Sequence, residues 1–177
     1  FDTGRRLVAR VIGSDTVPGR RTVTIDKGEY HGIVIDVPIV TPDGIVGRVI
    51  HTGHFASIVQ LVSDPESAIG IVTRGSRQQG IVRGNGKELA LDLIADGSDL
   101  SAGDELLTSG TDRIYPKGLN VGVITSIGPI ENLMQSAQIQ PAADLIRLEE
   151  VLCLVDRSTQ NRLTDDVTGR PFGRWPG

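Results

Sequence analysis

The chain has 177 residues and a formal net charge of −4, with 18 Lys and Arg against 22 Asp and Glu. No basic stripe interleaved with aromatic residues is visible, which argues against nucleic acid as a general partner. A chain of this length forms one domain or two small ones, and no apolar run approaches the ~20 residues of a membrane-spanning helix. With three Phe, two Tyr and one Trp, the core must be built from Val, Ile and Leu, and the β-branched excess favours strands. Twenty-two Gly and nine Pro punctuate the chain as an all-β protein with many turns requires. The first residue is Phe1 rather than methionine, so the chain reads as a fragment of a longer protein.

Alternation and turn chemistry predict strands at 7–13 and 22–26, separated by a Pro18-Gly19 turn. Lys27-Gly28 and His31-Gly32 punctuate a loop before a strand at 36–41. After Pro42-Asp43-Gly44 come strands at 45–52, 56–62 and 68–74, separated by Gly53-His54 and Ser63-Asp64-Pro65. Strands at 80–83 and 88–94 flank Asn85-Gly86, the strongest short hairpin signal in the chain. In the second of them Leu89, Leu91 and Leu93 share one face, so it is half buried. Beyond a polar loop lie strands at 105–109, 118–127, 136–140 and 151–155, and residues 144–150 suit one helical turn capped by Asp144. Cys153, in Val151-Leu152-Cys153-Leu154-Val155, reads as a small buried hydrophobe. From Asp156 the sequence turns polar and aperiodic, and 157–177 reads as a disordered tail.

Two segments share one phrase. Val37-Pro38-Ile39-Val40 runs through Pro42-Asp43-Gly44 to Gly47 and Ile50; Leu106-Leu107-Thr108 runs through Pro116-Lys117-Gly118 to Gly122 and Ile124. Pro42/Pro116, Gly44/Gly118 and Ile50/Ile124 keep a constant offset, the mark of one small β unit used twice. Gly44 and Gly118 read as the positive-φ position of a type II turn. Gly47 and Gly122, inside strands, suit a bulge or a close backbone approach. The fold class is all-β, with two small antiparallel β-barrels. The tight turns between 45 and 94 suggest a self-contained meander, giving one discontinuous barrel from 1–41 plus 97–156 and a second, inserted barrel at 42–96. A sequential split near 74–79 is the competing arrangement.

No residue pattern supplies a metal or cofactor site. His51 and His54 are three apart on a strand, point to opposite faces and have no third ligand, so they read as exposed turn histidines. The acidic stretch Glu88, Asp92, Asp96, Asp99, Asp104, Glu105 lacks the alternate spacing of a calcium loop. Two β-barrels are also the architecture of chymotrypsin-like proteases, and His51, an Asp (Asp92, Asp96 or Asp99) and Ser109 follow their triad order. Ser109 lacks the Gly-Asp-Ser-Gly nucleophile turn, however, and a triad is defined by geometry rather than order. Asp104 and Ser109 read more simply as turn residues bonding backbone amides at the two ends of a strand. A glycan-binding module is a weaker option, because sugar sites stack on aromatic faces and only Tyr30, Phe55 and Tyr115 are available for that.

The phrases Lys27-Gly28 with His31-Gly32-Ile33, Val37-Pro38-Ile39-Val40 with Gly44-Ile45-Val46-Gly47-Arg48-Val49, and Gly80-Ile81-Val82-Arg83-Gly84-Asn85-Gly86 together resemble the extracytoplasmic portion of the MreC family of bacterial rod-shape-determining proteins. The most diagnostic segment is Gly103-Asp104 with Leu107-Thr108-Ser109-Gly110 and Pro116-Lys117-Gly118-Leu119 leading to Gly122-Val123-Ile124. Pro141-Ala142-Ala143-Asp144-Leu145 before Leu148-Glu149-Glu150-Val151 extends it, so the resemblance spans residues 8–155. It marks Gly44, Gly47, Asp104, Thr108, Ser109, Gly110, Pro116, Gly118 and Gly122 as shaping residues, with no catalytic group among them. It implies a bitopic inner-membrane protein whose transmembrane helix and coiled coil are absent from this chain, with the barrels in the periplasm or extracytoplasmic space. It further implies a non-enzymatic scaffold of peptidoglycan synthesis, without cofactor. Such a scaffold self-associates and engages MreD, MreB, RodA and penicillin-binding protein 2.

Overall fold

The structure, a computed structural model, describes residues 4–15, 17–94 and 100–155. The strands among these residues are β1 (Arg5–Asp15), β2 (Thr22–Ile25), β3 (Pro38–Thr41), β4 (Gly44–Thr52), β5 (Ser57–Leu61), β6 (Ala68–Thr73), β7 (Gln79–Gly84), β8 (Leu89–Ile94), β9 (Glu105–Thr108), β10 (Asn120–Glu131), β11 (Met134–Pro141) and β12 (Glu150–Val155). All pair antiparallel. They close into two barrels, in the spatial orders β1-β12-β3-β4-β5-β2 and β10-β11-β8-β7-β6-β9. Closure leaves neither sheet with a free edge.

Each barrel is filled by alternate aliphatic side chains. In the first, Val151, Cys153 and Val155 of β12 point inward beside Ile25, Ile39, Val49 and Val59. Burial pushes the Cys153 thiol up to about 12, which leaves it protonated and inert. The second barrel packs Ile69, Ile71, Val82, Leu89, Leu91, Leu106, Val121, Ile124 and Ile139. Each such side chain contributes about 1.5–3 kcal/mol of transfer free energy. The aromatic-poor composition is no handicap, because β-branched residues tile the inside of a narrow barrel.

The expected division of the chain at 41/42 and 96/97 is corrected by the strand order. Pro42-Asp43 is a two-residue connection that returns β4 directly onto β3, with Thr41 opposite Gly44. So short a turn keeps both strands in one sheet. The chain leaves the first barrel only after β5, which pairs with both β4 and β2. At the other end, β9, β10 and β11 close the second barrel against β6 and β8. Residues 5–61 and 150–155 therefore carry the first barrel, and 68–141 the second.

The helical turn expected at 144–150 is absent: Asp144 Oδ1 instead accepts the amides of Ile146 and Arg147 at 3.0 and 3.3 Å, a local Asx turn. A short 3-10 turn forms at Glu29–His31, inside the segment read as a loop. The residues read as a tail, 157–177, and the acidic positions Asp96 and Asp99 lie outside the described residues. No helix among the described residues is long and apolar enough to cross a membrane.

Candidate functional site at the barrel junction

The two copies of the repeated phrase meet where the barrels touch. A Cβ added to Gly44, at the start of β4, would lie 2.6 Å from the Asn120 carbonyl oxygen and 2.6 Å from the Ala142 Cβ. Asn120 opens β10, two residues after Gly118, and its Nδ2 donates to the Asp43 carbonyl at 3.5 Å. Ile45, although on a strand of the first barrel, packs into the core of the second. Leu145 packs against both cores.

The offset is constant, but the two glycines work differently. Gly118 has φ +91° and open space around its missing Cβ, as the type II reading requires. Gly44 has no positive φ. The central residues of its hairpin are Pro42 and Asp43, so Gly44 is a strand residue and the turn reading there is corrected. Its function is to let β10 approach. Gly47 and Gly122 match their strand reading: added Cβ atoms would lie 1.9 Å from the Gln60 carbonyl oxygen and 2.3 Å from that of Gln140. The pairing register shifts near both, between Ile39 and Val40 opposite Gly47, and between Asn120 and Gly122.

Thr108 ends β9 fully buried and ties three parts of the diagnostic segment together. Its Oγ1 donates to the Pro116 carbonyl at 2.5 Å and accepts the Leu119 amide at 2.9 Å. Its carbonyl accepts the Gly118 amide at 2.9 Å. Gly110 has φ +77°, and a Cβ there would meet the Lys117 Cβ at 3.2 Å. Asp104 Oδ2 accepts the Ser101 amide at 2.9 Å before β9 begins.

Ser109, the candidate nucleophile, lies over the backbone of β6. Its amide donates to the Gly70 carbonyl at 3.0 Å, and its Oγ would be 2.8 Å from a Cβ on Gly70. That Oγ shares a 2.8 Å hydrogen bond with Thr111 Oγ1. His51 sits exposed on β4 of the other barrel, and Asp92 faces Arg83 at 3.8 Å across β7 and β8. Among the described residues no hydrogen bond or ion pair links His51, Asp92 and Ser109, and the Ser109 and Asp92 side chains are bonded elsewhere, whereas a triad needs base and nucleophile within hydrogen-bond reach. His54 lies on a different turn, 3.9 Å from Glu29.

A family model described as "Rod shape-determining protein MreC, barrel core" matches residues 11–155. The chain belongs to the MreC family. The cell shape-determining protein MreC of Escherichia coli K12 is 30% identical over 171 residues, covering 94% of this chain and 47% of the relative. A solved MreC of Listeria monocytogenes superposes with a TM-score of 0.78 at 30% identity, covering 87% of this chain and 77% of that one. The MreC of Helicobacter pylori, solved in a complex with a penicillin-binding protein, matches with a TM-score of 0.67 at 18% identity over 86% of this chain and 99% of that one, a likeness of fold. The chain spans about half the length of the curated MreC relatives it matches.

Two MreC-barrel residues at the junction escaped sequence reading. Asp64, in the link between β5 and β6, is 3% exposed. Its Oδ2 accepts the Arg21 amide at 2.7 Å and its Oδ1 the Glu66 amide at 2.9 Å. The Arg21 guanidinium then reaches the Gly86 carbonyl in the β7–β8 turn of the second barrel. Tyr115, buried in the second core, lies in the electrostatic reach of the Arg48–Asp36 ion pair of the first. Burial raises its phenol well above the usual tyrosine range, with the Arg48 cation opposing. Ser63-Asp64-Pro65 could be read only as a turn, since the Arg21 amide that Asp64 also serves lies 43 residues away.

Proposed function

We propose that the chain is a non-enzymatic scaffold module of the bacterial elongation machinery, organising peptidoglycan synthesis so that rod shape is kept. Family membership across both barrels is the observation that carries this reading. The relatives are named cell shape-determining proteins, and the fold likeness to an MreC solved with a penicillin-binding protein supports a transpeptidase as partner. MreD, MreB, RodA and a second copy of the chain are the further partners this role needs. The placement belongs to the same reading: barrels outside the cytoplasmic membrane, anchored by a helix not contained in this chain. A related MreC is described as having a major periplasmic domain.

Physically, two closed barrels hydrogen-bonded to each other at one junction present loops from both units side by side. A scaffold uses that property, whereas a hydrolase would need His51, Asp92 and Ser109 hydrogen-bonded to one another, and Ser109 and Asp92 are bonded elsewhere. Binding to the purified extracytoplasmic part of penicillin-binding protein 2, measured by surface plasmon resonance, tests the reading. Saturable binding is expected. Failure to bind, together with failure of the full-length protein carrying this region to restore rod shape in cells lacking their own copy, would overturn it. Stoichiometric fluorophosphonate labelling that disappears in Ser109→Ala would favour the hydrolase instead.

A further inference from the structure

Among the described aromatic residues, only Tyr115 is buried. Tyr30 and Phe55 are 79% and 66% exposed, yet their ring centroids stand 5.6 Å apart with planes tilted by 41°. They come from two turns 25 positions apart, the 3-10 turn at 29–31 and the β4–β5 turn. The two turns are fastened to each other by backbone: the Glu29 amide donates to the Gly53 carbonyl at 2.8 Å and the Tyr30 amide to the His54 carbonyl at 2.9 Å. Gly28 makes this contact possible, because a Cβ there would lie 2.3 Å from the Gly53 oxygen. The platform is therefore built by hydrogen bonds rather than by collapse of the rings out of water. In a chain this short of aromatics, two adjoining solvent-facing rings held on a fixed backbone are not accounted for by core packing.

The surroundings select the ligand. The two turns, 27–32 and 52–57, contribute no Leu, Ile, Val or Met of their own, so they do not themselves give the rings the aliphatic surround that a protein-interface anchor uses to exclude water. Polar groups border them instead. Glu29 Oε1 accepts from Thr52 Oγ1 at 3.1 Å, and Glu29 Oε2 lies 3.9 Å from His54 Nδ1. Exposed ring faces carry negative charge density that attracts the weakly positive axial C–H groups of a pyranose. Carboxylate, hydroxyl and imidazole at the rim suit equatorial hydroxyl and acetamido groups.

We propose that Tyr30 and Phe55 form a stacking platform for a glycan of N-acetylhexosamine units, with Glu29, Thr52 and His54 as its polar rim. The choice of this glycan rests on the proposed role beside the cell wall; the platform itself rests on the geometry. The scaffold would then hold the strand being extended as well as the enzymes acting on it.

The test uses the whole chain in two assays, co-sedimentation with purified protein-free sacculi and NMR titration with a soluble β-1,4-linked N-acetylglucosamine tetramer. The wild type is expected to bind both. Tyr30→Ala and Phe55→Ala should each weaken binding about tenfold, while Tyr30→Phe and Phe55→Trp, which keep a ring, should retain it. Both positions are exposed, and unchanged melting curves would confirm that the barrels persist. No binding by the wild type at millimolar tetramer and to sacculi, or equal binding by the alanine variants, would overturn the proposal. Binding of penicillin-binding protein 2 is read in parallel and reports on the scaffold role separately. If the alanine variants lose the transpeptidase while sacculus binding is unchanged, the rings are a protein contact and the glycan assignment falls.

Discussion

The carboxylate of Asp64 and the backbone amide of Arg21 meet at 2.7 Å, joining the link between the barrels to the strand entry of the first. The same carboxylate serves the Glu66 amide, and the neighbouring Ser63 carbonyl accepts the Gly86 amide at 2.8 Å. One short link is thus hydrogen-bonded to both barrels. Asp64→Ala would strand two amides and is expected to destabilise by about 1–3 kcal/mol. Asp64→Asn, which keeps one acceptor oxygen, should cost less. Chemical denaturation of the three proteins checks the order, and equal midpoints for all three would contradict it.

Gly44 and Gly118 should respond differently to the same substitution. Gly118→Ala meets open space and carries the strain of a positive φ, about 1–2 kcal/mol. Gly44→Ala collides with Asn120 and Ala142 and pushes β10 away from β4. Ala142→Gly removes one of the two obstructions, so it should recover part of the loss in Gly44→Ala and none in Gly118→Ala. Melting temperatures of the two double variants give the answer.

Thr108 and Ser109 are adjacent, but only Thr108 is structurally committed. Thr108→Val keeps the shape and leaves the Pro116 carbonyl and Leu119 amide without their partner, a loss of about 2–4 kcal/mol. Thr108→Ser should retain most of the stability. Ser109→Ala, at a half-buried hydroxyl bonded to Thr111, should change stability by less than about 0.5 kcal/mol. A Ser109→Ala loss as large as that of Thr108→Val would refute the assignment.

Alkaline pH probes the junction through Tyr115. Its folded-state pKa is raised above the ordinary value of 10.0, chiefly by burial. Its contribution is therefore fully present below pH 10.0 and declines above it, as the unfolded chain ionises first. Cys153 acts in the same direction above its ordinary value of 9.0. Tyr115→Phe keeps the packing and removes one titrating group, so stability between pH 10 and 11 should fall less steeply than in the wild type. Urea midpoints measured across that interval test this. Parallel slopes would exclude Tyr115 as a source of the alkaline instability.

The strand set was legible because period-two alternation and Gly, Pro and Asn turns are local signals. Asn85-Gly86 is an example: Gly86 has φ +93° and Asn85 Oδ1 accepts the Lys87 and Glu88 amides at 3.0 and 2.7 Å. The division into barrels was not legible, because Pro42-Asp43-Gly44 resembles a boundary in sequence and is a hairpin in space. Which sheet a strand enters depends on its hydrogen-bonded neighbours, and β12 finds β1 and β3 across more than a hundred residues.

Residue identity and short spacing were enough for the all-β class, the aliphatic cores and the resemblance to one family, since each is a local signal. Folding was needed to show that Gly44 lets β10 approach, that the Ser109 hydroxyl bonds Thr111 rather than His51, and that Tyr30 and Phe55 form one surface. The first and last of these depend on contacts between segments distant in the chain. Such contacts exist only after backbone hydrogen bonding has closed both barrels.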